Sequence, residues 1–114
     1  MPRVRYYGGL YFLEIDGDKI REYGGLYRYE IVGNKLREYG GLYRYEFDGD
    51  KIRRYGGLYI LEFDGRRLRR YGGMYIAEVV DNKIRDYGGL YRYEIDGFIT
   101  RVQLMALLTL LYGL

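Results

Sequence analysis

The chain has 114 residues, and its 19 Lys and Arg against 16 Asp and Glu leave a net charge of +3. It contains no Cys, His or Ser, and Thr100 and Thr109 are its only aliphatic hydroxyls. Disulfides, thiolate or imidazole metal centres and hydrolase-type nucleophile–base pairs are thereby left out, so no enzyme activity, metal or cofactor is expected. Acidic and basic residues alternate along the whole length; the one-sign field that nucleic acid requires is missing, and no nucleic-acid partner is expected.

In chain order, Met1 to Tyr7 lacks the apolar run of a signal peptide, which together with the absence of Cys predicts a cytoplasmic location. Arg3-Val-Arg-Tyr-Tyr7 reads as a short strand. From Tyr7 onward a 16-residue unit recurs, with Tyr-Gly-Gly-Leu-Tyr or a close variant opening at Tyr7, Tyr23, Tyr39, Tyr55, Tyr71 and Tyr87. A fixed period of this length means one supersecondary unit repeated. In the copy that begins at Tyr23, Leu26 to Ile31 alternates and is rich in β-formers. Gly33-Asn34 has the signature of a two-residue type II′ hairpin turn, Lys35 to Tyr39 returns, and Gly40-Gly41 makes the next tight turn.

The register across Gly33-Asn34 sets Val32 opposite Lys35, Ile31 opposite Leu36 and Glu30 opposite Arg37. In the first copy it sets Glu14 opposite Arg21. Apolar meets apolar and acid meets base. A β-solenoid with one coil per repeat would instead stack Glu14, Glu30, Glu46, Glu62, Glu78 and Glu94 in one like-charge ladder. Antiparallel hairpins are therefore predicted.

Arg3 to Tyr7 matches the return half of the repeat, while Leu90 to Ile95 is an outgoing half with no return partner. The sixth hairpin is thus divided between the two ends of the chain. Twelve strands result, and pairing the first with the last closes the sheet and leaves no edge. Each outgoing strand is two residues longer than its return strand, which gives a shear of about twelve and a tilt of roughly 37°.

Alternation places Tyr27, Tyr29, Ile31 and Leu36 on the inner face, with Tyr43, Tyr45, Phe47 and Ile52, and Tyr59, Leu61, Phe63 and Leu68, as equivalents. Arg28, Glu30, Lys35 and Arg37 face out. A twelve-stranded barrel is too wide for its wall side chains to fill. The tail from Phe98 to Tyr112 is rich in helix formers and apolar on all sides, which predicts a buried helix over 98–112 running roughly 22 Å along the axis. It is expected to enter at the Asp-Gly rim and to point its C-terminus at the Gly-Gly rim. The prediction is one domain over 1–114: a closed, mainly β, twelve-stranded antiparallel up-and-down barrel over 3–97 around a central helix.

This arrangement resembles the tubby C-terminal domain and its LURP-one and scramblase-like relatives. The likeness is one of architecture across the whole chain, and it transfers no individual residue. It implies a membrane-lipid or phosphoinositide-headgroup binding module as an alternative to a non-catalytic scaffold. The regular repeats and missing residue types would also suit a designed or consensus sequence, whereas Met74-Tyr-Ile-Ala77 and Val79-Val-Asp-Asn82 depart from the consensus as natural drift does.

Two candidate sites follow. The inward position before each Tyr-Gly-Gly carries Tyr6, Glu22, Glu38, Arg54, Arg70 and Asp86, a polar ring at one mouth. In it Arg54 and Arg70 would clamp an anion, unless the rim neutralises itself together with the Leu114 carboxylate. Outside, Leu58, Ile60, Tyr71, Met74, Ile76 and Tyr87 form an apolar patch for self-association or a protein partner, with Ile60 and Ile76 replacing outward arginines. The Gly-Gly turns join two strands and lack a following helix and lysine, so they are not phosphate loops. The Arg- and Glu-laced outer wall predicts no transmembrane insertion.

Overall fold

A computed structural model describes residues 1–113. Twelve strands precede one helix: β1 (Arg3–Tyr6), β2 (Tyr11–Asp16), β3 (Lys19–Glu22), β4 (Tyr27–Val32), β5 (Lys35–Glu38), β6 (Tyr43–Asp48), β7 (Lys51–Arg54), β8 (Tyr59–Phe63), β9 (Arg67–Arg70), β10 (Tyr75–Val80), β11 (Lys83–Asp86), β12 (Tyr91–Asp96) and α1 (Arg101–Tyr112). Every strand is antiparallel to its sequence neighbour, and β1 pairs β12 to close the barrel. The long extents of 37 and 34 Å are nearly equal and the third is 21 Å, so the pseudo-six-fold axis runs along the short direction of a squat drum.

The hairpins form in the expected register: Ile31 faces Leu36, Glu30 faces Arg37 and Val32 faces Lys35. Gly33 takes a φ of +61° at the first turn position, the conformation that a type II′ turn requires. In the fifth copy Asp81 occupies that place with a φ of +55° and is the only non-glycine residue at positive φ among those described. At the opposite turns Gly24 has a φ of +71°, and a Cβ at Gly25 would lie 3.1 Å from Glu22 Cβ, a tight contact to which the Glu22 side chain would have to yield by a few tenths of an ångström.

One feature departs from simple alternation. Each return strand meets the next outgoing strand through a β-bulge. Ile20 pairs Tyr29 and Arg21 pairs Tyr27, which leaves Arg28 as the extra residue. The same shift recurs in every repeat. Pairing on the Asp-Gly side keeps a shear of about twelve, but each bulge adds stagger on the Gly-Gly side, so that end flares.

The bulge also corrects the face assignment of Tyr27, Tyr43 and Tyr59, which lie outside rather than inside. Tyr27 donates its hydroxyl to Asp16 Oδ2 at 3.0 Å and packs its ring, tilted, against Tyr39 with centroids 5.4 Å apart. Six such outer Tyr–Tyr pairs, with centroids 5.1–5.4 Å apart, fasten the seams. Beside them runs a ladder of ion pairs, including Arg37–Glu30 at 2.7 Å, Arg69–Glu62 at 2.6 Å and Arg85–Glu78 at 3.0 Å. Hydrogen bonding from Arg21 holds the Glu14 carboxyl below its usual value.

Inside, Val4, Ile20, Leu36, Ile52, Leu68 and Ile84, one from each return strand, are fully buried and form a ring around the helix. Five consecutive helix residues, Met105 to Thr109, are buried, so α1 is covered on all sides by the wall. Each large apolar side chain taken out of water contributes about 1.5–3 kcal/mol. The helix begins at Arg101, three residues later than periodicity alone suggests, because Thr100 and Gln103 form a capping box. Phe98 lies outside the plug and is exposed. Gln103 Nε2 donates to Gly17 O at 2.7 Å and Arg101 Nη2 to Asp50 Oδ1 at 2.7 Å, which moor the start of the helix to the Asp-Gly rim. At the far end Tyr45 donates to Gly113 O at 3.1 Å, so the C-terminus points at the Gly-Gly mouth. Among the described residues no helix is long and apolar enough to cross a membrane.

Candidate functional site: the flared mouth

Six ring positions and six bulge positions meet at the Gly-Gly mouth, because a bulge residue turns toward the ring residue six places before it. Arg28 pairs Glu22 at 3.3 Å, Arg44 pairs Glu38 at 2.6 Å and Arg92 pairs Asp86 at 2.9 Å. In the first copy both members are aromatic, and Tyr6 stacks on Phe12 at 4.3 Å. In the fourth and fifth copies the same positions hold Arg54 with Ile60 and Arg70 with Ile76.

Three ring acids are thus neutralised by their own repeat, whereas Arg54 and Arg70 form no ion pair with any described residue. Both are exposed, and they stand on β7 and β9 with only β8 between them. Leu114, whose carboxylate entered the expected rim pairing, lies outside the described residues. A cavity of about 260 Å³ opens at the mouth against the last turns of the helix. It brings Glu38 and Arg54 together with Arg44, Tyr29, Tyr45, Thr109 and Leu110.

The outer patch needs correction. Ile60 and Ile76 do not face outward: they are half-buried and pack against the core, because the bulge turns them to the mouth. Tyr71 and Tyr87 are engaged in outer pairs with Tyr59 and Tyr75 at 5.1 Å. Leu58 and Met74 are exposed, but they belong to a ring rather than to one side. Leu10, Leu26, Leu42, Leu58, Met74 and Leu90, one per repeat, are 68–83 % exposed around the Gly-Gly end.

The two threonine hydroxyls serve the helix. Thr100 Oγ1 accepts from Gln103 N at 3.3 Å, and Thr109 Oγ1 donates to Met105 O at 2.7 Å, which satisfies a buried hydroxyl within its own turn. Tyr112, at the end of the helix, is packed edge-on to Tyr93 with centroids 6.4 Å apart, and burial pushes its hydroxyl up to about 12.

The bulge residues Phe12, Arg28, Arg44 and Arg92 were not expected at the mouth. The signal that marks them is covariation inside the repeat: wherever the ring residue is acidic, the residue six places on is Arg. Comparison of the chain with protein-family models, with curated proteins and with solved structures finds no match.

Proposed function

We propose that this protein is a non-catalytic binding scaffold, a self-closed barrel that presents its Gly-Gly end as a contact face. The ring of six exposed aliphatic side chains at that end carries the reading. Their equivalence under the repeat sets them at one height, and an exposed apolar ring supports reading that end as an interaction surface. The occupied threonine hydroxyls and the self-neutralised ring acids support a non-catalytic role. Sedimentation velocity at rising concentration and vesicle co-sedimentation test it. Wild-type binding in at least one assay is expected to vanish when all six ring residues are replaced by Gln. A wild-type protein inert in both assays would remove the reading.

A membrane-lipid surface is the second reading, favoured by the flatness of that ring. Six leucine-type side chains at one height match a planar interface better than a curved protein surface, and the six tyrosines just behind them suit the headgroup level. Vesicles with and without anionic lipid, at two salt concentrations, separate this reading from self-association. Co-sedimentation that rises with anionic lipid and falls with salt is expected; equal pelleting without vesicles would exclude it.

A further inference from the structure

The mouth breaks its own pairing rule in two adjacent repeats, and that break has a definite charge and shape. Every other copy fills its ring and bulge positions with an acid and an arginine or with two stacked rings. In the fourth and fifth copies the partner positions hold Ile60 and Ile76, half-buried at the margin of the core. Two positive charges therefore share one sector of the mouth with two aliphatic side chains. The nearest outward residues of the same sector are Leu58 and Met74, both more than four-fifths exposed.

Arg54 lies level with Leu58 and Arg70 with Leu61 on the strand between them, so two strand spacings and this stagger set their backbones roughly 12–14 Å apart, still within the reach of two extended guanidinium groups converging on one centre. Two unit charges call for a dianion. Guanidinium forks match phosphate oxygens in pairs. The carbonyl end of α1 offers only about half a unit of negative charge. Gly113 O accepts from Tyr45, and among the described residues no carboxylate pairs with either arginine.

We propose that this sector binds an amphiphilic phosphate monoester. Its dianionic head lies between Arg54 and Arg70, and its apolar part rests over Ile60, Ile76, Leu58 and Met74. The site deepens the reading of the mouth as a contact face, but it does not need a membrane: a single-chain phosphate in free solution satisfies the same contacts as a phosphatidic acid in a bilayer.

The test uses octyl phosphate below its micellar concentration, titrated by calorimetry into the full chain at pH 7.5. Inorganic phosphate and octyl sulfate serve as the head-only and single-charge probes. Octyl phosphate is expected to bind saturably and at least about tenfold more tightly than either. Arg54→Gln and Arg70→Gln should each lose about tenfold or more, while Arg28→Gln, whose arginine already has Glu22, should lose less than about twofold. Ile60→Glu, which supplies the missing internal acid, should abolish binding with the arginines still present. Near-ultraviolet circular dichroism confirms that each variant keeps its tyrosine packing. Vesicles of phosphatidylcholine with and without phosphatidic acid then identify the source. Vesicle binding lost in Arg54→Gln assigns the site to lipid, and octyl phosphate binding without vesicle binding assigns it to a free metabolite. No saturable binding by the wild type, equal affinity for octyl phosphate and inorganic phosphate, or an Arg28→Gln loss as large as that of Arg54→Gln would overturn the site.

Discussion

Arg5 Nη2 donates to Glu94 Oε1 at 2.6 Å across 89 residues of sequence. The pair occupies the place that Arg37 and Glu30 fill seven residues apart inside one hairpin. The first strand therefore supplies the basic half of a hairpin whose acidic half lies near the end of the repeat array.

Arg5→Ala is expected to cost about 1–2 kcal/mol in urea unfolding, somewhat more than Arg37→Ala, because Arg5 pairs with both Glu94 and Asp96 whereas Arg37 pairs with Glu30 alone. The two should differ in hydrogen exchange. Arg5→Ala should raise exchange in β1 and β12 alone, since only that seam lacks a covalent turn to hold its strands together. Uniform exchange around the barrel in both variants would contradict a seam of separate stability.

Asp81→Gly should stabilise the protein by about 1 kcal/mol. Asp81 sits at a φ of +55° in a turn position where four other hairpins have glycine. Removing the Cβ relieves that strain, and the relief outweighs the added freedom of the unfolded chain. A higher urea midpoint with an unchanged denaturant slope is the expected result.

Leu107→Ala should cost about 2–5 kcal/mol, since Leu107 is fully buried where the helix fills the barrel. Removing 98–114 entirely should leave a hollow wall that aggregates or oligomerises, as followed by light scattering. A compact, well-folded monomer after that deletion would show that the wall stands without its plug.

Tyr112→Phe should stabilise the protein by about 1 kcal/mol and flatten its alkaline limb. The Tyr112 hydroxyl is buried with no hydrogen-bond partner among the described residues, so its loss removes an unmet desolvation cost. Burial holds its proton up to about 12, above the value of about 10 in an unfolded chain. The unfolded state therefore ionises first. Native stability from this group is complete below about pH 10 and falls as the pH climbs from about 10 toward about 12. Unfolding midpoints at pH 9 and pH 11 should diverge more in the wild type than in Tyr112→Phe.

Closure was legible in the sequence because it is a counting property: a return half at Arg3 to Tyr7 and an outgoing half at Leu90 to Ile95 leave one hairpin to be shared. The plug was legible because nothing but burial suits a run such as Leu104 to Leu111. The orientation of Tyr27 was not. A bulge changes the face of a side chain by one unpaired residue, and strict alternation has no term for it. The same blindness hid Arg28 and its relatives, and put Ile60 and Ile76 on the wrong surface. The start of the helix was readable in Thr100-Arg-Val-Gln103, a capping-box spacing that apolar periodicity alone overlooks.

The bulge residues stand apart from the ladder of paired neighbours, so their side chains can change without disturbing a strand register. Phe12, Arg28, Arg44, Ile60, Ile76 and Arg92 already hold three different chemistries on one unaltered wall. The drum thus separates what keeps it shut from what its mouth displays: six positions, rewritable one at a time, on a frame that need not be rebuilt.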